Sequence, residues 1–124
     1  MNLEIRQYTR DRIPDVLDFE RRLREEENYY NWPIDDKYIR SVENSFEDPA
    51  FQTSLSLLAY VDGKVVGRMD TTMIASHFDG SKKAYLDWIC VIKSYRHLGV
   101  AQRMMEQLLK CLRQRNIDTL IALT

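Results

Sequence analysis

Residues 91–112 read VIKSYRHLGVAQRMMEQLLKCL and hold the transition that decides the fold. They continue the apolar run YLDWIC (85–90), which is typical of a β-strand. Beyond Gly99, apolar residues recur at spacings of three and four, at Ala101, Met104, Met105, Leu108, Cys111 and Leu112. That period predicts an amphipathic helix. A strand therefore gives way to a helix at a single glycine.

The turn at Gly99 has two interpretations. The first N–H groups of a helix have no partners in the helix and carry a partial positive charge, so a turn that aims them at one point binds phosphate. Gly99 would let the backbone approach such an anion closely, and Arg96 would add a permanent cation. In the other interpretation, Gly99 only eases the turn while Arg96 and His97 are solvated. A short R-x-x-G-x-A pattern does not decide between them.

Composition narrows the class of protein. The chain has 124 residues, of which 44% are hydrophobic and 30% charged, as expected for one soluble domain over 1–124. A net charge of −1 predicts no nucleic-acid partner. No apolar stretch is long enough for a membrane span or a secretion signal, so we expect a cytoplasmic protein. Cys90 and Cys111 lack metal-ligand spacing, so no metal site is predicted.

The remaining elements follow from the same local patterns. In chain order we predict a strand at 3–9, a helix with Pro14 in its first turn, a helix capped by Asp35 or Asp36, a hairpin of 55–61 and 64–78 turning at Asp62-Gly63, a strand at 84–92, the helix after Gly99 with Asn116 as its C-cap, and a strand at 119–124. The order β-α-α-β-β-β-α-β describes an α+β fold. Its antiparallel meander should be followed by one parallel strand, reached through a right-handed crossover.

The stretch 91–112 resembles the acetyl-CoA-binding core of the GNAT superfamily of N-acetyltransferases. The positions that match the family pattern are Val91, Tyr95, Arg96, Gly99 and Ala101. The order of elements agrees over essentially the whole chain, although only 87–112 is specific in motif. The resemblance implies a GNAT-like mixed sheet and an enzyme that uses acetyl-CoA. Such an enzyme transfers the acetyl group to a primary amine of a small molecule or protein by direct attack in a ternary complex.

The resemblance also implies which residues bind acetyl-CoA. Backbone N–H groups would hold the pyrophosphate, from Arg96, His97, Leu98, Gly99, Val100 and Ala101. The pantetheine arm would run along the strand at Ile89, Cys90 and Val91, with the N–H of Val91 directed at the thioester carbonyl. Ala101 stands where the family usually has a glycine, a small replacement that should matter little.

Asp87 is the candidate general base. It lies four residues before Val91, on the same strand face if the side chains alternate regularly. An acidic residue occupies this place in polyamine-type members of the superfamily. Two alternatives remain, because Asp87 could pair with a surface arginine or end a ladder, and a β-bulge would alter its facing.

The stretch REEENYYNW (24–32) is the candidate acceptor site. Carboxylates beside aromatic faces suit a cationic amine. The candidate residues are Glu26, Glu27, Tyr29, Tyr30 and Trp32. The alternative is a solvated helix end followed by aromatic packing.

Members of the superfamily normally continue with another helix and two strands, which commonly carry an Asn and a Tyr that serves as general acid. The sequence ends at Thr124, so we expect a domain that is incomplete at its C-terminus. The strand at 119–124 would then be an edge on which a second copy could pair to form a homodimer. An alternative function is a shortened, non-catalytic GNAT-like module for CoA binding or protein association.

Overall fold

The computed structural model of the protein describes residues 1–27 and 33–122. Its main elements are β1 (Leu3–Gln7), α1 (Ile13–Glu27), α2 (Asp36–Ser45), β2 (Leu55–Val61), β3 (Lys64–Ala75), β4 (Lys82–Val91), α3 (Val100–Gln114) and β5 (Leu120–Ala122). The predicted α+β order and GNAT-like mixed sheet are confirmed.

The five strands form one sheet in the order β1-β2-β3-β4-β5. Strands β1 to β4 pair antiparallel, and β5 lies parallel to β4 as predicted. Within the described residues, β5 pairs with β4 only at Ala84–Leu86. The second half of β4 is therefore paired through β3 alone in this part of the chain. Pairing of two copies through 119–124 stays a prediction.

Local signals set the ends of the elements. Asp62 and Gly63 have φ of 50° and 78°, so the hairpin turns through two left-handed residues. Asp35 caps α2 by accepting a hydrogen bond from the backbone N–H of Tyr38 at 2.9 Å. Asn116, with φ of 59°, follows α3 in the predicted left-handed conformation.

Helices α1 and α3 lie on opposite faces of the sheet. A Cβ added at Gly67 would meet the Cε of Met104 on α3 at 2.9 Å, so Gly67 faces α3. The next residue, Arg68, contacts Glu20 on α1 at 2.9 Å. Successive residues of a strand point to opposite faces. The lack of a side chain at Gly67 thus lets α3 pack close to the sheet at this point.

The apolar residues of α3 that face the sheet are buried, at Val100, Met104, Leu108 and Leu112. Burial of each large side chain stabilises the fold by about 1.5–3 kcal/mol. In the residues described, no helix has the length and apolar character needed to cross a membrane.

Candidate active site

The loop before α3 presents unpaired backbone donors. The first hydrogen bond of the helix joins the N–H of Arg103 to the carbonyl oxygen of Gly99 at 3.0 Å. The N–H groups of Val100, Ala101 and Gln102 therefore have no acceptor inside the helix. Such a cluster, at the positive end of a helix dipole, suits an anion.

Gly99 is required at this position by its conformation. Its φ is 84°, a left-handed value that residues with a Cβ rarely adopt. A Cβ placed there would meet nothing within 4 Å, so the space beside Gly99 is open. His97 also has a positive φ, of 65°. The turn that exposes the N–H groups thus depends on two left-handed residues.

The side chain of Arg96 ties this loop to two other elements. Its Nε donates a hydrogen bond to the carbonyl oxygen of Val91 at 3.0 Å. Its guanidinium pairs with the carboxylate of Glu27 at the end of α1, whose side chain is 4% exposed. Next to this pair, the hydroxyl of Ser94 donates to Glu26 at 3.3 Å. The end of α1 is therefore attached to the loop.

Of the five predicted acceptor residues, the structure describes Glu26 and Glu27. Glu26 and Glu27 lie against the loop before α3, and neither lines the large cavity described below. Tyr29, Tyr30 and Trp32 lie outside the described residues. The role of these five residues in acceptor binding stays a prediction.

The edge of β4 that faces away from β3 carries backbone groups that β3 does not pair. The N–H of Ile92 donates to the carbonyl oxygen of Val66 on β3 at 2.9 Å. Because successive N–H groups of a strand point to opposite sides, those of Val91 and Ile89 point away from β3. This is the side from which β5 departs after pairing with Ala84–Leu86. The edge at Ile89, Cys90 and Val91 is thus shaped to take an added extended chain.

Asp87 sits in a β-bulge. Trp88 pairs with Asp70 and Leu86 pairs with Thr71, which leaves Asp87 as the extra residue of β4. We predicted that Asp87 and Val91 lie on one face of β4 because side chains alternate regularly along a strand. The bulge interrupts that alternation, so the prediction is wrong. Asp87 and Trp88 line a cavity on the α1 side, whereas Val91 pairs with Gly67, which faces α3.

That cavity has a volume of about 700 Å³ and lies between the sheet, α1 and α2. Its aromatic lining comes from Tyr8, Tyr38, Phe46, Phe51 and Trp88. Its acidic lining comes from Glu20, Asp48, Asp70 and Asp87. The carboxylate of Asp87 makes no hydrogen bond or ion pair with the part of the chain that the structure describes. Its carboxylate is thus available to a molecule in the cavity.

A buried ion network forms one wall of the cavity. Glu20, 4% exposed, receives hydrogen bonds from Arg24 at 2.8 Å and from Arg68 at 2.9 Å. Arg68 also donates from Nε to Asp70 at 2.9 Å, and Asp70 accepts from the hydroxyl of Ser56 at 2.7 Å. Burial disfavours the charge on Arg68, but the adjacent carboxylates of Asp70 and Glu20 outweigh it and raise the pKa of the guanidinium. The guanidinium of Arg68 therefore keeps its charge.

Our sequence interpretation did not single out this network, although two signals were present. Glu20 stands among the apolar positions of α1, between Val16 and Leu23 at spacings of four and three. Arg68 and Asp70 alternate with apolar residues in β3, which places both on one face. A carboxylate and a guanidinium that both face inward indicate a buried pair.

Residues 14–124 match the acetyltransferase (GNAT) family. An aminoglycoside acetyltransferase, meta-AAC0020, from an uncultured soil metagenomic sample superposes with a TM-score of 0.81 at 12% identity, over 98% of this chain and 77% of that one. The ribosomal-protein-alanine N-acetyltransferase from Brucella melitensis biovar Abortus 2308 gives 0.74 at 17% identity, over 98% and 79%. AAC(6')-Iy, in complex with the bisubstrate analog CoA-S-monomethyl-acetylneamine, gives 0.76 at 20% identity, over 100% and 80%. At these identities the likeness establishes the fold. No curated protein sequence matches significantly.

Proposed function

The chain belongs to the acetyltransferase (GNAT) family, and from that premise we propose that it transfers an acetyl group from acetyl-CoA to a primary amine. The amine attacks directly in a ternary complex, with residues 1–124 acting as one acetyltransferase domain. The observation that carries the proposal is the cluster of unpaired N–H groups at the start of α3, beside the open space at Gly99.

The residues present fit the anionic and extended parts of acetyl-CoA. The N–H of Arg96, predicted to bind the pyrophosphate, instead donates to the carbonyl oxygen of Lys93 at 3.2 Å. The N–H groups from 97 to 101 suit a pyrophosphate, and the side chain of Arg96 adds a cation that Glu27 partly neutralises. The free N–H groups of Ile89 and Val91 suit the amides of a pantetheine arm. A structure of the same fold, AAC(6')-Iy, was solved with a CoA bisubstrate analog, which supports this assignment.

When bound, acetyl-CoA supplies the acetyl group as an activated thioester. The N–H of Val91 would donate to the thioester carbonyl oxygen as negative charge develops there. A donor that is already in place lowers the barrier, because nothing must reorganise at the moment of reaction.

Asp87 would accept the proton of the attacking amine, directly or through a water molecule. An amine with a pKa near 10.4 is protonated at pH 7, and removing its proton costs about 4–5 kcal/mol. The carboxylate of Asp87 has no partner among the described residues, and Asp87 lines the cavity beside Trp88. Its position at the bulge supports the role of general base.

The proposal is tested by binding and by turnover. Acetyl-CoA at millimolar concentration should raise the melting temperature and release or absorb heat in a calorimeter, because it binds only the folded state. Gly99→Trp should abolish both signals. The matched control is Gly63→Trp, since Gly63 also has a positive φ and open space but lies in the hairpin turn.

Turnover is measured as release of the CoA thiol over a panel of polyamines, aminoglycosides, amino acids and peptide N-termini. Absence of any heat and shift would overturn acetyl-CoA binding. Binding without thiol release from any amine would overturn acetyl transfer and favour the non-catalytic module.

A further inference from the structure

We propose that the hydroxyl of Tyr8 binds a neutral oxygen of the acceptor, so that the preferred acceptor is a small hydroxylated amine. This inference rests on the proposed acetyl transfer and names the acceptor class for the same cavity. The subsite that we define is the hydroxyl of Tyr8 and the cavity wall around it, which we call the Tyr8 subsite.

Tyr8 is a buried residue with an unpaired polar atom. It is 9% exposed and lines the cavity, yet its hydroxyl has no hydrogen-bond partner within residues 1–27 and 33–122. A buried hydroxyl without a partner destabilises the fold. By contrast, the hydroxyl of Tyr60 donates to Asp15 at 2.6 Å. The unpaired phenol of Tyr8 therefore indicates a partner that arrives with a ligand.

The ring of Tyr8 is held in place on several sides. It meets the ring of Phe46 edge-on, with centroids 5.0 Å apart. The guanidinium of Arg68 lies 5.7 Å from its centroid. Its backbone N–H donates to Ser56 at 2.8 Å. The ring and the buried hydroxyl that it carries are thus held at a fixed place, as a specific binding group requires.

The charges of the cavity determine which ligand group suits Tyr8. Four carboxylates and two guanidiniums line the cavity, an excess of two negative charges that disfavours an acidic ligand group. The guanidinium of Arg68 already lies over the Tyr8 ring, so this face of the ring is not open to a cation–π contact with a second ammonium group. Burial raises the pKa of Tyr8, so the phenol keeps its proton and needs an acceptor. A hydroxyl is neutral and can both accept from and donate to the phenol.

The size of the cavity fits such an acceptor. The volume of about 700 Å³ is suited to a small molecule.

The Tyr8 subsite lies across the sheet from the candidate base. The backbone N–H of Tyr8 donates to the carbonyl oxygen of Ser56. Ser56 lies opposite Asp70 in the sheet, and Asp70 lies opposite Trp88. These residues form one row over four strands, so the backbones of Tyr8 and Trp88 are about 14 Å apart at the usual strand spacing. The bound oxygen should therefore stand several bonds away from the amine that Asp87 would serve.

The test is a calorimetric titration of the protein saturated with CoA, which prevents turnover. The probes are three amines with the same carbon chain, namely aminohexanol, hexylamine and diaminohexane. The wild type should bind aminohexanol most tightly. Tyr8→Phe should weaken the binding of aminohexanol about fivefold, as expected for one neutral hydrogen bond, and change that of hexylamine less than twofold.

Tyr60→Phe is the matched control, because it also removes a phenol hydroxyl but lies outside the lining of the cavity. It should leave the affinities for all three amines unchanged and lower the melting temperature, since the bond to Asp15 is lost. Tyr8→Phe should leave the melting temperature unchanged or raised, since no bond is lost.

Hexylamine or diaminohexane binding at least as tightly as aminohexanol would overturn the proposed class. An equal loss for aminohexanol and hexylamine in Tyr8→Phe, or no binding of any probe, would also overturn it. Acetylation of hexylamine with no advantage for aminohexanol would remove this inference and leave the proposed function intact. Binding that depends on Tyr8, without acetylation of any amine, would keep this binding site and overturn the proposed acetyl transfer.

Discussion

Arg96 donates a hydrogen bond from its Nε to the carbonyl oxygen of Val91, with the two atoms 3.0 Å apart. The same guanidinium pairs with Glu27 at the end of α1. One side chain thus connects the end of β4, the loop before α3 and the end of α1. The cation of the motif therefore fixes the shape of the loop in addition to any attraction it exerts on phosphate.

We expect Arg96→Ala to lower both the free energy of unfolding, by about 1 kcal/mol, and the affinity for acetyl-CoA. Arg96→Lys keeps the charge but loses the planar guanidinium that reaches both Val91 and Glu27. It should therefore restore little of the stability or of the affinity for acetyl-CoA. Urea denaturation and calorimetry measure the two effects. Arg103→Ala, in the exposed part of the next helix, is the control. Full recovery in Arg96→Lys would show that charge alone matters.

Gly67→Ala should destabilise the protein by about 1–2 kcal/mol. Its new Cβ would lie 2.9 Å from the Cε of Met104 and 3.3 Å from the carbonyl oxygen of Cys90, so the Met104 side chain must leave its packed position. In a Met104→Ala background the same substitution should cost less, because the nearest atom is gone. A double-mutant cycle by urea denaturation measures this coupling, and strictly additive effects would contradict it.

Asp87→Asn should lower kcat about 100-fold or more at neutral pH and leave the affinity for acetyl-CoA unchanged. The loss arises because the amide cannot accept the proton of the amine. The control is Asp79→Asn, in an exposed turn where Asp79 bonds the N–H of Ser81. Thiol release over a range of pH tests both variants. An unchanged kcat at every pH would exclude Asp87 as the base.

Arg68→Met should lower the free energy of unfolding by about 3–5 kcal/mol, because it leaves the buried Glu20 and the nearby Asp70 without their shared cation. Arg6→Met is the comparison, since Arg6 pairs with Glu4 at the surface with about half of each side chain exposed. That change should cost about 0–1 kcal/mol. Equal losses in the two variants would mean that the network contributes no more than a surface pair.

Stability should decline as the pH rises above about 10. Burial raises the pKa of Tyr8 in the folded state, so the unfolded chain releases this proton first. The contribution of the Tyr8 phenol to the free energy of unfolding is complete below the pKa that the phenol has in the unfolded chain. It is lost as the pH rises toward the higher pKa of the folded state. Tyr8→Phe should flatten this decline in urea midpoints measured between about pH 8 and pH 11. A slope identical to that of the wild type would contradict the prediction.

Elements whose signal is local were predicted well. The Asp62-Gly63 turn and the cap at Asp35 depend on backbone conformations that few residues adopt. The period of α3 and the glycine at its start were equally plain in the sequence. Because the apolar run of β4, the loop at Gly99 and the helix α3 follow one another in the chain, their pattern was enough to indicate the family.

The sequence by itself determined the order of elements, the turn at Gly99 and the family, because helix periods, turn residues and caps act between residues that are close in the chain. Only the tertiary structure decided that Asp87 lies in a bulge, that Glu27 holds Arg96, and that an unpaired Tyr8 lines the cavity. Each of these depends on which strands and helices meet. The strand register shifts by one residue at Asp87, and alternation along one strand contains no information about its partner.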